Sequence, residues 1–284
     1  MSGLARRSSS PRSTPVTAGT VVESQPIAIA IVSAMHEELR ALLPLLHEPR
    51  VEVVGRRRFH VGVMHGQPVV LVLSGIGKVA AATTATLLIE RFNARAIVLT
   101  GVAGGLQSGV EVGDVVVARA LLQHDMDASP LFPRFEVPLT GRSHFETDAA
   151  LTDALARAAR RCLENADELI GAEHLRAFGI GAASLHQGLV ISGDCFVSSQ
   201  NQSDTLRALL PAALAVEMEG AALAQVCAEF DRPLAVLRTI SDRADDSAHV
   251  DFNRFIVEVA SVYTRAIVND WLLNANAHAL ASTS

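Results

Sequence analysis

The 284-residue chain lacks the residues on which several common kinds of site are built. Its three cysteines, Cys162, Cys195 and Cys227, are odd in number and far apart. That is no disulfide framework, and it points to a reducing compartment, the cytoplasm. One Trp, one Tyr and a net charge of −6 leave no basic patch interleaved with aromatics, so a nucleic-acid partner is not expected. No apolar run approaches the roughly 18 residues of a membrane span, and no membrane partner is expected either. The patterns H-E-x-x-H, C-x-x-C and G-x-S-x-G are missing, which argues against the common zinc sites and a serine-hydrolase elbow. His124-Asp125-Met126-Asp127 has possible ligand side chains, but no second cluster has metal-site spacing, so neither metal nor cofactor is expected.

What is present is a large apolar share, 49% hydrophobic against 19% charged, enough for a sizeable core. Residues 1–26 stand apart, rich in Ser, Thr, Arg and Pro with Glu23 as the one acid. Such a composition fits a transit peptide or a disordered tail; the tail is the expectation. A single domain is expected over 27–275, with a short flexible tail at 276–284. Strand-like runs at 27–32, 51–54, 59–64, 68–73, 96–99, 112–118, 188–191, 214–216 and 234–240 alternate with helical stretches. The helices are expected at 37–46, 78–92, 151–163, 204–210, 221–230 and 252–273. This alternation predicts an α/β fold, a three-layer α/β/α sandwich around a mixed central sheet. Residues 127–143, with three prolines and Gly141, read as a long loop, and 165–184 carry no clear signal.

Chemistry concentrates where strands end. Val216-Glu217-Met218-Glu219-Gly220 and Arg238-Thr239-Ile240-Ser241-Asp242 each close an apolar run, and Met35-His36-Glu37-Glu38 follows the first one. In open α/β sheets ligands bind outside the carboxyl ends of strands, so three acidic strand ends point to carboxylate chemistry on a small polar molecule. Glu217 and Glu219 share a face if the chain is extended there; alternatively one of them forms a salt bridge or caps the following helix. Gly75-Ile76-Gly77-Lys78-Val79-Ala80 has the dinucleotide form G-x-G-x-x-A, but not in the first βα unit and without an acid at a strand end some twenty residues on. Small residues there would let backbone approach a ligand, with Ser74 offering a hydroxyl. Thr100-Gly101-Val102-Ala103-Gly104-Gly105 reads either as a tight turn or as backbone lining a pocket for a flat ring. In Ile191-Ser192-Gly193-Asp194-Cys195-Phe196-Val197, Phe196 is either core or a stacking partner for a purine.

Together these segments, with Val112-Gly113-Asp114-Val115-Val116, resemble the 5′-methylthioadenosine/S-adenosylhomocysteine nucleosidases of the purine nucleoside phosphorylase-like superfamily, over residues 27 to 273 and in the family's order. The resemblance implies hydrolysis of the N-glycosidic bond of 5′-substituted adenosines to adenine and a 5′-substituted ribose. By the same resemblance Asp242 is the acid that protonates adenine N7, and Glu38 activates water. Glu219 holds the ribose hydroxyls, Met218 packs on the sugar and Glu217 supports them. Phe196 and Val197 bind adenine, Ala103 and Gly104 line the pocket, and Ser241 places Asp242. A homodimer is implied too, with the 127–143 region meeting the 5′ substituent across its interface. His36 departs from the run of glutamates common in the family, and 165–184 is longer than the family suggests. A phosphorylase of the same fold needs an arginine-lined phosphate cradle, and near the first strand end the sequence offers Glu37 and Glu38, with Arg40 alone nearby. A non-catalytic nucleoside-binding protein would need no acid.

Overall fold

A computed structural model describes residues 29–244 and 252–281, with side chains to residue 275. The expected tail 1–26 lies outside the described residues. The sheet is built around β1 (Ile29–Ser33), every residue of which is buried. It lies between two parallel neighbours, β4 (Gln67–Leu73) and β5 (Ile97–Gly105). Burial on both faces explains why these strands read as continuous apolar runs instead of alternating ones. Beyond β4 the sheet ends in the antiparallel strands β3 (Arg57–Met64) and β2 (His47–Val54), the latter largely exposed.

The other half of the sheet curls. β10 (Leu234–Asp242) pairs with β5 in parallel and with β6 (Val115–Gln123) antiparallel. β6 pairs with β8 (Leu185–Ser192), β8 with β9 (Ala213–Glu217), and β9 returns to β5 at Gly104 and Gly105. Five strands thus close into a ring, and the expected mixed central sheet is open on one side of β5 and barrel-like on the other. The short β7 (His144–Glu146) pairs with β6.

Helices cover both faces. α2 (Lys78–Glu90) and α7 (Gly220–Glu229) bury Ala85, Leu88, Ala221 and Leu223 against Phe59, Val70 and Leu99. On the opposite face α1 (His36–Leu42), α3 (Ala149–Glu164) and the closing helix contribute Leu42, Leu155, Tyr263, Ile267 and Trp271 to a second core. Truncating a buried leucine in such a layer, Leu88 for example, typically costs about 2–5 kcal/mol.

Several boundaries differ from the expectation for local physical reasons. Residues 165–184 form two short helices, α4 (Ala166–Leu169) and α5 (Ala172–Ala177), each too brief to show a helical period. α6 (Gln200–Leu209) starts four residues before the expected helix, at the Ser199 cap. The closing segment comprises α8 (Phe252–Phe255), a π-helical turn (Ile256–Ala260) and α9 (Ser261–Ala281), so helix continues past the 275 boundary. β5 runs through the glycine-rich stretch to Gly105, which is therefore strand and not a tight turn.

Candidate active site

The carboxyl ends of β1, β5, β8, β9 and β10 border one cavity. Asp242 is the last residue of β10 and Glu217 the last of β9, so both acidic stretches end their strands as the sequence suggests. The register between β10 and β5 shifts at Ile240/Asp242, which sets Asp242 opposite Gly104. Irregularities of this kind re-aim side chains next to functional sites. Met218, Glu219, Phe196, Val197, Ala103, Gly104, Ser241 and Asp242 all contribute to the wall, and so does Glu217.

Arg238 is the hub of the site and has no exposed surface. A guanidinium in the middle of Leu-Ala-Val-Leu-Arg-Thr-Ile can be buried only if it is paired. It donates to Glu217 Oε2, and at 3.2 Å to Glu219 Oε2. Gly101 lies beside it on β5, where an added Cβ would sit 1.9 Å from Arg238 Nη1. The glycine-rich strand end thus serves close approach of side chains, since a Cβ on Gly104 would likewise fall 2.9 Å from Asp242 Oδ1. Burial alone would lower the pKa of Arg238; the carboxylates Glu217, Glu219 and Glu38 outweigh it and raise the value.

Glu217, the last residue of β9, and Glu219, just before α7, differ in their partners. Glu217 Oε1 accepts from Ser192 Oγ, its neighbour on β8, and both carboxylate oxygens accept from the Gly220 amide at 3.0 and 2.8 Å. Oε2 takes the Glu219 amide at 3.1 Å as well as Arg238. Glu217 is therefore both salt-bridge partner and cap of α7, and its lone pairs are spent. Glu219 accepts from the Gly77 amide at 2.9 Å and from Arg238. Burial first, then Glu217, raises its pKa against the opposing pull of Arg238.

Glu38 is fully buried in α1, a layer behind the cavity wall. Its Oε2 accepts from the Met35 amide at 3.3 Å, while Oε1 has no hydrogen-bond partner among the described residues. A Cβ on Gly101 would lie 3.6 Å from that oxygen, so Glu38 borders the same glycine as Arg238. Burial pushes its pKa up to about 7, against the opposing effects of Arg238 and the Met35 amide. Asp242 is held by Ser241 Oγ, 2.7 Å from Oδ2, and by the Ala244 amide, 2.8 Å from Oδ1. Phe196 is 42% exposed and meets Phe252 edge-on at 6.3 Å; both line the cavity. The half-exposed ring is thus a wall and not core.

The glycine-rich turn before α2 is not a phosphate site. The amide of Gly77 serves Glu219, and that of Lys78 serves Asp194 Oδ1 at 2.8 Å, so donors that would hold a pyrophosphate are already taken by the chain's own carboxylates. Lys78 Nζ is paired with Asp125 at 2.6 Å, which engages one of the acids of the His124–Asp127 stretch. Ser74 departs from its expected position. Its hydroxyl donates to the Gly75 carbonyl at 2.8 Å and the Ser33 carbonyl at 3.3 Å, and it borders a neighbouring groove instead of this cavity. Arg238, Phe252 and Val102 complete the site without having been singled out by sequence. Arg238 did carry a signal, as a lone cation inside an apolar strand.

The arrangement offers a hydrogen-bonded aspartate, a buried glutamate with a raised pKa, a paired glutamate facing the cavity and an aromatic wall. The model of the phosphorylase superfamily matches residues 28–271. The chain is similar to the 5′-methylthioadenosine/S-adenosylhomocysteine nucleosidase of Shewanella denitrificans, 33% identical over 81% of this chain and 92% of that protein. Among solved structures it is similar to the corresponding nucleosidase of Neisseria meningitidis in complex with methylthio-immucillin-A, with a TM-score of 0.76, 33% identity and coverage of 87% and 99% of the two chains. It is also similar to a futalosine hydrolase mutant of Helicobacter pylori, with a TM-score of 0.72, 32% identity and coverage of 86% and 97%.

Proposed function

The chain belongs to the phosphorylase superfamily and, within it, to the 5′-methylthioadenosine/S-adenosylhomocysteine nucleosidases, and from that premise we propose how its residues divide the work of hydrolysing 5′-substituted adenosines. Adenine lies against Phe196 and Val197, with its N7 edge towards Asp242. Proton transfer from Asp242 to N7 turns a poor anionic leaving group into neutral adenine. The Ser241 and Ala244 donors stabilise the carboxylate that this transfer leaves behind. Glu219 holds the ribose hydroxyls, and Met218 packs on the sugar.

As the C–N bond breaks, positive charge develops on the ribose, as in other glycosyl transfers. Three carboxylates, Glu38, Glu217 and Glu219, surround a single guanidinium, so ionised they leave net negative charge beneath that cation. Water attacks the ribosyl carbon and its proton passes to Glu38, whose pKa of about 7 suits a general base at neutral pH. The observation that carries this reading is the unpaired, buried Oε1 of Glu38 in a site where Glu217 is saturated. Arg238 positions Glu217 and Glu219.

The dimer belongs to the same proposal. Ile76 on the cavity wall is 59% exposed and Val79, three residues on, 77%, and Leu131 and Leu139 of the 127–143 loop are 84% and 90% exposed. Exposed apolar side chains at the cavity wall and in that loop support a second copy of the chain as partner. The three cysteines are free, in keeping with the proposed cytoplasmic location. No described helix is long and apolar enough to cross a membrane. The test is adenine release from methylthioadenosine and adenosylhomocysteine with and without phosphate. Phosphate-independent release is expected; release that requires phosphate would remove the role given to Glu38.

A further inference from the structure

We propose that Lys78 is a positioning residue for the base: together with Asp125 it locks segment 193–197, which carries the adenine wall, to the start of α2. The proposal rests on the nucleosidase reading and deepens it, since neither side chain borders the cavity. Asp194 Oδ1 accepts from the Lys78 amide at 2.8 Å, and the Asp194 amide donates to Asp125 Oδ2 at 2.9 Å. The ammonium of Lys78 completes the circuit, donating to Asp125 Oδ1 at 2.6 Å and to Gln123 Oε1 at 3.1 Å. Asp194 is thus bound through its side chain and its backbone to the two members of one ion pair. Cys195, Phe196 and Val197, which follow it, line the cavity.

The partners come from three places distant in sequence. Lys78 opens α2, Asp125 follows β6 and Asp194 follows β8. β6 and β8 run parallel and end together, with Gln123 opposite Ser192. Just beyond, the Gly193 amide donates to the Glu217 carbonyl at 3.1 Å, and the His124 amide to the Ser192 carbonyl at 2.9 Å. A Cβ on Gly193 would sit 2.3 Å from His124 Nε2, so the segment passes directly over that ring. Backbone pairing holds the segment as far as Gly193, and the lock takes over at Asp194. Burial on its own would raise the pKa of Asp125; the Lys78 hydrogen bond and the Asp194 amide outweigh it and lower the value, so the carboxylate stays ionised at neutral pH.

The start of α2 is tied to the sugar side of the site as well. The Gly77 amide, next to that of Lys78, donates to Glu219 Oε1 at 2.9 Å. Two consecutive amides thus hold the residue assigned to the ribose hydroxyls and the segment assigned to the base, and both subsites share one reference point. Turnover needs both halves of the nucleoside held at once, because Asp242 must meet N7 while the ribosyl carbon stays within reach of water. A misplacement of about 1 Å caused by a residue remote from the chemistry can cost on the order of 10²-fold. The Lys78 and Asp125 side chains are 16% and 32% exposed, so the pair adds little to stability directly. Loss of function without an equal loss of fold is therefore the signature of this lock.

The experiment measures kcat and KM for methylthioadenosine, the Kd of adenine and inhibition by methylthioribose in Lys78→Met, Asp125→Asn and the double variant. Lys78→Met removes the charge and keeps most of the apolar length. Asp125→Asn sets an NH2 donor against either the Lys78 ammonium or the Asp194 amide. Each single variant is expected to weaken adenine binding about tenfold and to lower kcat about tenfold. Methylthioribose inhibition should stay within about twofold of wild type, because the contact from Gly77 to Glu219 is made by backbone and survives. The double variant should be no worse than either single one, since both break the same lock. Thermal midpoints should stay within about three degrees. Adenine binding and kcat near wild type in the single variants, or losses that add up in the double variant, overturn the proposal. So does an equal weakening of adenine and methylthioribose, which would show general loosening. If Lys78→Met does not fold, Asp125→Asn decides on the same readings. Failure of the wild type to hydrolyse methylthioadenosine would instead overturn the nucleosidase reading, and this inference with it.

Discussion

Two glutamates share the field of one buried guanidinium, and their surroundings are opposite. At the end of β9, Glu217 accepts from two backbone amides, a serine and Arg238. At the corner between β1 and α1, Glu38 has one long contact to the Met35 amide and an oxygen with no partner among the described residues. The first is a frame: it ties three strands to the start of α7. The second is the reagent of the proposed mechanism, and burial of its carboxylate makes it bind a proton more readily. Burial by itself does not separate the two; hydrogen-bond saturation does.

The comparison is sharpened most by the largest effect. Glu38→Gln and Asp242→Asn are each expected to lower kcat by about 10²–10⁴-fold while adenine-site ligands still bind, measured by single-turnover kinetics and calorimetry. Near-normal turnover in either variant would remove that residue from the chemistry. Glu217→Ala should fail in a different way. Removing one partner of a buried ion pair costs about 3–5 kcal/mol, so its thermal midpoint should fall by on the order of ten degrees, whatever happens to the rate. A Glu217→Ala protein that melts like the wild type would end the idea of a frame.

The smallest effect has the opposite sign. The folded-state pKa of Glu38, about 7, lies above its ordinary 4.5, so folding favours the protonated form. Its contribution is fully present below the unfolded value and is lost as pH rises through the folded one. Glu38→Gln should therefore stabilise the protein above pH 7, by roughly 1–3 kcal/mol, and be neutral near pH 4. Thermal melts at the two pH values distinguish this from an indifferent substitution. An activity-dead but more stable variant is the behaviour expected of a reagent and not of a frame.

Much of this was legible in the sequence, for identifiable reasons. Glu217, Glu219 and Asp242 could be located because apolar runs stop at them, and buried parallel strands leave that signature whatever their neighbours. The closure of β5, β10, β6, β8 and β9 into a ring was not legible, since pairing between strands distant in sequence leaves no local pattern. The glycines of β5 were ambiguous for a related reason: Gly101 exists to admit a side chain from β10, 137 residues away. Ser74 looked like a free hydroxyl because its acceptors, the Ser33 and Gly75 carbonyls, are backbone atoms that sequence does not reveal. Arg238 was passed over, although a lone cation inside an apolar strand is a signal; its burial with Glu217 and Glu219 explains it.

The pH dependence of kcat/KM for methylthioadenosine tests the assignment of Glu38 most directly. Activity is expected to fall on the acid side with a midpoint near pH 7, as the base takes up its proton, and the residual rate of Glu38→Gln should lack that limb. A wild-type profile that stays flat from pH 8 down to pH 5 would contradict the account, because the carboxylate acting as base would then have an ordinary pKa and could not be the buried Glu38.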